Sequence, residues 1–197
     1  MKRFLVGFSI DKAILNSNYM GIDTLNIRRA NPIDISNIVA IYDAIHTAEE
    51  AGLATIGWVR GVYPTIDTAQ AAYARGDLFV LEDGGRIVGA AIINQSQCDG
   101  YETADWEYPA NDSEVMVLHT LVIDPAAAGR GYGKAFVSFY ERYAFDHGCA
   151  FLRMDTNVRN ARARAMYHKL GFKEIGVIPT TFNGIEGVNL VLLEKAL

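Results

Sequence analysis

Val115-Met116-Val117-Leu118-His119-Thr120-Leu121-Val122-Ile123-Asp124-Pro125-Ala126-Ala127-Ala128-Gly129-Arg130-Gly131-Tyr132-Gly133-Lys134 is the stretch on which the reading of this chain turns. Its apolar run, ending at Ile123, has the length of a buried strand, and Asp124-Pro125 stops it. Gly129, Gly131 and Gly133 then let the backbone present bare N–H groups at the start of a helix. A strand, a sharp turn and a glycine-rich helix N-terminus together make a site that favours phosphate.

Spacing separates the kinds of phosphate site. The P-loop pattern G-x-x-x-x-G-K-[ST] fits Gly133-Lys134 but finds Ala128 in place of its first glycine and Ala135 in place of its metal-binding hydroxyl. The dinucleotide fingerprint G-x-G-x-x-G starts at Gly129 and Gly131 and meets Lys134 where its last glycine belongs. A third reading is a strand-turn-helix cradle for a pyrophosphate.

Working outward, Thr24 to Arg29 alternates as a half-buried strand. Asn31-Pro32-Ile33-Asp34 starts a helix that ends near Gly52, and Thr65 starts a second that Gly76 closes. Between them, Trp58 to Pro64 is an aromatic connection of the kind that lines pockets. Asp77 to Glu82 and Ile87 to Ile93, joined at Asp83-Gly84-Gly85, form a β-hairpin. The polar and aromatic stretch Gln97 to Glu114 is a long loop before the central strand.

Downstream, Phe136, Phe139, Tyr140 and Tyr143 form one apolar helical stripe. A strand over Ala150 to Thr156, a helix from Asn160 to Leu170, and strands over Phe172–Ile178 and Val188–Glu194 follow, the last two separated by a loop through Thr180 to Gly184.

A chain of 197 residues, half of them hydrophobic, suits one domain. A net charge of -5 and a pI near 5.3 argue against a nucleic-acid-binding surface. No apolar run reaches membrane-spanning length, and Asp11-Lys12 cuts short the one that resembles a signal sequence. Cys98 and Cys149 have neither metal-ligand spacing nor the density of a disulfide scaffold, so the expected setting is the cytoplasm, with no metal.

The turn Ala128-Gly129-Arg130-Gly131-Tyr132-Gly133 resembles the R/Q-x-x-G-x-G/A motif of the GNAT superfamily of N-acetyltransferases, with Ala128 departing from its first position. A second block of that family, D-T-x-x-x-N-x-x-A-x-x-[LM]-Y-x-x-x-G-F, is similar to Asp155-Thr156-Asn157-Val158-Arg159-Asn160 continuing to Ala163, Met166, Tyr167, Gly171 and Phe172. The two blocks in this order make the resemblance specific. It covers residues 24–197 and leaves 1–23 as an N-terminal extension of unassigned role.

The resemblance implies an α/β (α+β) fold: a mixed, mostly antiparallel sheet flanked by helices, with a splayed central strand pair. It implies acetyl-CoA as acyl donor and direct transfer to the primary amine of a small molecule or peptide; no membrane partner is expected from the hydropathy, and a homodimer stays open. Leu121, Val122 and Ile123 would meet the pantetheine arm, and Ala128, Gly129, Arg130, Gly131, Tyr132, Gly133 and Lys134 the pyrophosphate. Asn160 and Ala163 would contact the arm, and the Tyr167 hydroxyl would protonate the departing sulfur.

Aligning the glycine turns places Val117 where some members of the family carry a glutamate base on the central strand, and Val117 cannot serve. His119, of the same strand parity, and Glu114, at the strand start, are the candidate bases, with Glu107 acting through a water as a further alternative. The acidic run Asp99 to Glu114 could draw in a cationic amine. The alternative is a non-catalytic acyl-CoA-binding or sensing domain that keeps the cradle without the base.

Overall fold

The computed structural model describes residues 25–197; the extension 1–23 and Thr24 lie outside the described residues. Seven strands, β1 (Asn26–Arg29), β2 (Leu78–Asp83), β3 (Arg86–Asn94), β4 (Val115–Ile123), β5 (Phe151–Asn157), β6 (Lys173–Phe182) and β7 (Ile185–Ala196), form one sheet in the order β1-β2-β3-β4-β5-β7-β6. Every neighbouring pair is antiparallel except β4 and β5, which run parallel. This is the mixed, mostly antiparallel sheet that the sequence predicts.

Helices α1 (Ile35–Glu50) and α2 (Ile66–Arg75) cover one face; α3 (Tyr132–Asp146) and α4 (Ala161–Lys169) cover the other. Strand alternation divides the core between them. Leu78, Val80, Ala90, Ile92 and Val122 pack with Ile38, Tyr42 and Ile45 of α1, while Phe79, Leu81, Ala91, Ile93, Leu118 and Met154 pack with Phe136, Val137 and Tyr140 of α3. The predicted α3 stripe is thus only partly its core face. Val137 belongs to that face, whereas Phe139 and Tyr143 pack at its margin.

Two details of the chain differ from the sequence reading. The expected loop through Thr180 to Gly184 is strand up to Phe182, and the reversal is the two-residue turn Asn183-Gly184, both at positive φ (+49° and +84°). Such an Asn-Gly pair matches the twist of a hairpin, so β6 and β7 extend further than their apolar cores suggest. The other difference lies in β4. Thr120 has φ +49°, and the register moves from Ile92↔His119 to Ala90↔Val122, so three steps on β4 span two on β3. This bulge breaks the strict alternation expected of the run.

Candidate active site

Pairing between β4 and β5 runs from Val115↔Phe151 to Leu118↔Met154 and then stops, although both strands continue. Beyond Leu118 the β4 edge facing β5 therefore has no strand partner, and the two strands open into a cavity of about 760 Å³. β4 contributes Leu118 to Leu121, β5 contributes Asp155 to Asn157, and α4 with its cap contributes Asn160, Ala163 and Tyr167. Unpaired backbone N–H and C=O groups on a strand edge suit an extended amide-containing ligand.

At the C-terminal end of β4, Asp124 accepts from the Ala126 N–H at 2.9 Å and shapes the turn. Gly129 and Gly131 follow at φ +85° and +83°, a conformation that side chains disfavour, and Gly131 is the N-cap of α3. The first N–H groups of α3 have no acceptor within the helix, and the helix dipole adds positive potential there. Gly129, Arg130, Gly131 and Lys134 are exposed, so two cations flank an open backbone cradle. That arrangement fits a pyrophosphate.

Two neighbouring residues take structural roles. Tyr132 is buried, its hydroxyl donating to Asp83, which leaves only its backbone for a ligand. A Cβ on Gly133 would lie 3.1 Å from Met166 Sδ, so this glycine lets α3 approach α4. Of Leu121, Val122 and Ile123, only Leu121 lines the cavity. Val122 packs in the α1 core and Ile123 at the edge of the α3 core, as the bulge dictates.

Asn160 lines the cavity and caps α4, its Oδ1 accepting from the Ala163 N–H at 3.2 Å and its Nδ2 donating to Thr156 Oγ1 at 3.2 Å. Tyr167 lies two turns further on and is 6% exposed, with its ring edge-on to Phe172. Burial holds its phenol well above the usual tyrosine range, so it is protonated at neutral pH. Its hydroxyl has no hydrogen-bond partner among the described residues and is available to a ligand.

The candidate bases separate in space. His119 lines the cavity beside Cys98, whose Sγ lies 3.5 Å from Nδ1, and its Nε2 lies 3.0 Å from Asn94 Oδ1. Asn94 Oδ1 can only accept, so Nε2 carries the proton and Nδ1 is bare. Burial pulls the His119 pKa down to about 4, making it a neutral and weak base. Glu114 is not at the cavity; it caps the turn before β4, taking the Asn111 N–H at 2.9 Å. Glu107 is also elsewhere, paired with Lys173 at 2.6 Å.

Sequence reasoning assigned no role to Asp155, placed Tyr63 in a connection of the kind that lines pockets and read Cys98 as a free thiol; all three line this cavity. Asp155, the first residue of the second block, lies on β5 just past the divergence and accepts from the Tyr101 hydroxyl at 2.9 Å. Its signal was the opening position of that block, two residues after Arg153 on the same strand face. Tyr63 reaches from the α1–α2 connection to Thr120 at the bulge and meets Trp58 and Phe182 edge-on, with centroids at 5.8 and 5.3 Å. Cys98 also faces this space. Burial and nearby Asp155 push its thiol up to about 12, which excludes a resting thiolate.

A family model described as Acetyltransferase (GNAT) family matches residues 40–172. An uncharacterised N-acetyltransferase of Methanocaldococcus jannaschii is 31% identical over 100 residues, 51% of this chain and 40% of the relative, so the chain spans well under two thirds of that protein. Among solved structures, an acetyltransferase of the GNAT family from Streptococcus agalactiae superposes with a TM-score of 0.72 at 21% identity, covering 88% of this chain and 95% of its own. A putative acetyltransferase from Salmonella typhimurium, solved with acetyl-CoA, gives 0.63 at 20% identity, covering 88% and 94%. Both likenesses are of fold.

Proposed function

Because the chain belongs to the GNAT family of acetyltransferases, we propose that it is an acetyl-CoA-dependent N-acetyltransferase acting by direct transfer to the primary amine of a small molecule or peptide. The observation that carries this reading is the opening of β4 from β5 after Leu118, with the glycine cradle at one end of the cleft and Tyr167 on its wall. The cradle holds the pyrophosphate through backbone N–H groups, with Arg130 and Lys134 at its rim. Because those contacts are mainly backbone ones, Ala128 at the motif's first position weakens the cradle without removing it.

The free edge of β4 aligns the pantetheine arm, and the small Ala163 leaves room beside Asn160. Fixing the thioester there and the amine in the aromatic end of the cavity makes the attack effectively unimolecular. Tyr167 donates its proton as sulfur leaves. With its thiol held protonated, Cys98 is not an acyl carrier.

The test is release of free thiol from acetyl-CoA over a panel of primary amines, with the product identified by mass. The account expects one acetylated amine per thiol released. The sensing reading, which Val117 at the family's base position favours, expects tight coenzyme A binding and no thiol release from any amine.

A further inference from the structure

Val117 is fully buried against Tyr101, Val115 and Leu192, so β4 offers no carboxylate at that level. The parallel register supplies one from the next strand. It sets Val117 beside Arg153, and one same-face step further places His119 and Asp155 on the two lips of the opening cleft. Both line the cavity. The hydrogen bond to the Asp155 carboxyl comes from the Tyr101 hydroxyl, the Cys98 thiol is a second neutral group beside it, and no lysine or arginine pairs with it among the described residues.

The other titratable groups around it are Tyr63 from the α1–α2 connection, Tyr167 from α4 and the neutral His119 from β4. The carboxylate is thus enclosed by neutral donors and open only toward the cavity. A cation arriving there would complete it.

We propose that Asp155 is the ammonium anchor and general base of acetyl transfer, reached from β5 where the family's base on β4 is missing. This rests on the acetyltransferase reading. The bound ammonium gives one proton to the Asp155 carboxylate, and the neutral nitrogen attacks the thioester carbonyl carbon. A C–N bond forms and the C–S bond breaks. Sulfur takes the Tyr167 proton, the second proton of the nitrogen restores the phenol, and Asp155 returns its proton to solvent through the cavity.

Burial, partly offset by the neighbouring Tyr101 hydroxyl and Cys98 thiol, holds the Asp155 carboxyl up to about 6, a suitable value for a base at neutral pH. His119, at about 4, is the weaker candidate despite its position. Its Nδ1 instead faces the Cys98 thiol, with Sγ at 3.5 Å.

The experiment is the pH profile of kcat/KM for thiol release with the best amine of the panel, alongside the coenzyme A Kd. The wild-type profile is expected to rise to a plateau through a pKa near 6. Asp155→Asn should lower kcat/KM roughly 10²–10⁴-fold and abolish that limb with the Kd unchanged, while Asp155→Glu should retain the limb. Tyr101→Phe removes a donor to the carboxylate and should move the limb to higher pH. An Asp155→Asn enzyme that keeps its rate and its limb overturns the assignment, as does disappearance of the limb in His119→Gln. Loss of coenzyme A binding in Asp155→Asn marks a structural role and also overturns it. A wild-type protein inert toward every amine overturns the acetyltransferase reading itself.

Discussion

Arg153 on β5 donates from Nε to Glu194 Oε1 on β7 at 3.0 Å, with both side chains almost fully buried. The pair pins the long loop before β4. Arg153 reaches Gln97 Oε1 at 2.7 Å and the Tyr108 carbonyl at 2.9 Å beneath the Trp106 ring, while Glu194 Oε2 accepts the N–H groups of Glu107 and Tyr108. Removing one partner strands a buried charge. Glu194→Gln is expected to cost about 3–5 kcal/mol in urea unfolding. A loss under about 1 kcal/mol would show that the loop is held by other contacts.

Asp155 should carry a stability cost. Its folded pKa, about 6, lies above the ordinary 3.8, so the native state binds the proton more tightly and stability falls as pH rises between these values. Asn keeps an acceptor for Tyr101 without the charge. Asp155→Asn is therefore expected to be more stable than wild type by about 2–3 kcal/mol at pH 7.5, with the gain shrinking as pH falls from about 6 and gone near pH 4. Thermal melts at the two pH values measure this, and equal destabilisation at both would contradict it.

Gly131 tests the cradle. A Cβ there would meet nothing within 4 Å, so Gly131→Ala acts through its φ of +83° alone. Holding alanine in that region costs roughly 1–2 kcal/mol, and relaxation would turn the N–H groups away from the phosphates. The expected result is a coenzyme A Kd weakened about tenfold, an equivalent of about 1.4 kcal/mol. An unchanged Kd by calorimetry would place the pyrophosphate elsewhere.

Direct transfer also constrains Cys98. Its thiol, raised to about 12, should not accumulate an acyl group. Intact-mass measurement after incubation with acetyl-CoA alone is expected to show no added acetyl, and Cys98→Ala should still turn over. A hydroxylamine-labile acetyl on Cys98 would require a two-step mechanism.

Features written in local backbone chemistry were legible in the sequence. The glycines of the turn, the hairpin at Asp83-Gly84-Gly85 and the Asn160–Tyr167 spacing each constrain φ/ψ or helix face directly, and they located the turn, the hairpin and the helix face that lines one wall of the cavity. The Asn183-Gly184 turn was equally local, but the polar residues around it masked it. What was not legible depends on long-range register. The Thr120 bulge shows only against β3, and it sends Val122 into the α1 core. Asp155 gains its setting from Tyr101 and Cys98 in a loop more than fifty residues earlier. Burial likewise demotes His119, whose strand parity had suggested the base.

The central claim is that the β4–β5 cleft, with Tyr167 on its wall, is where acetyl transfer occurs. The most direct measurement is kcat for thiol release by Tyr167→Phe beside its coenzyme A Kd. The account predicts a kcat lower by roughly 10²-fold or more with a Kd close to wild type, because only the proton donor is removed. An equal kcat in the two proteins on a confirmed amine would contradict it.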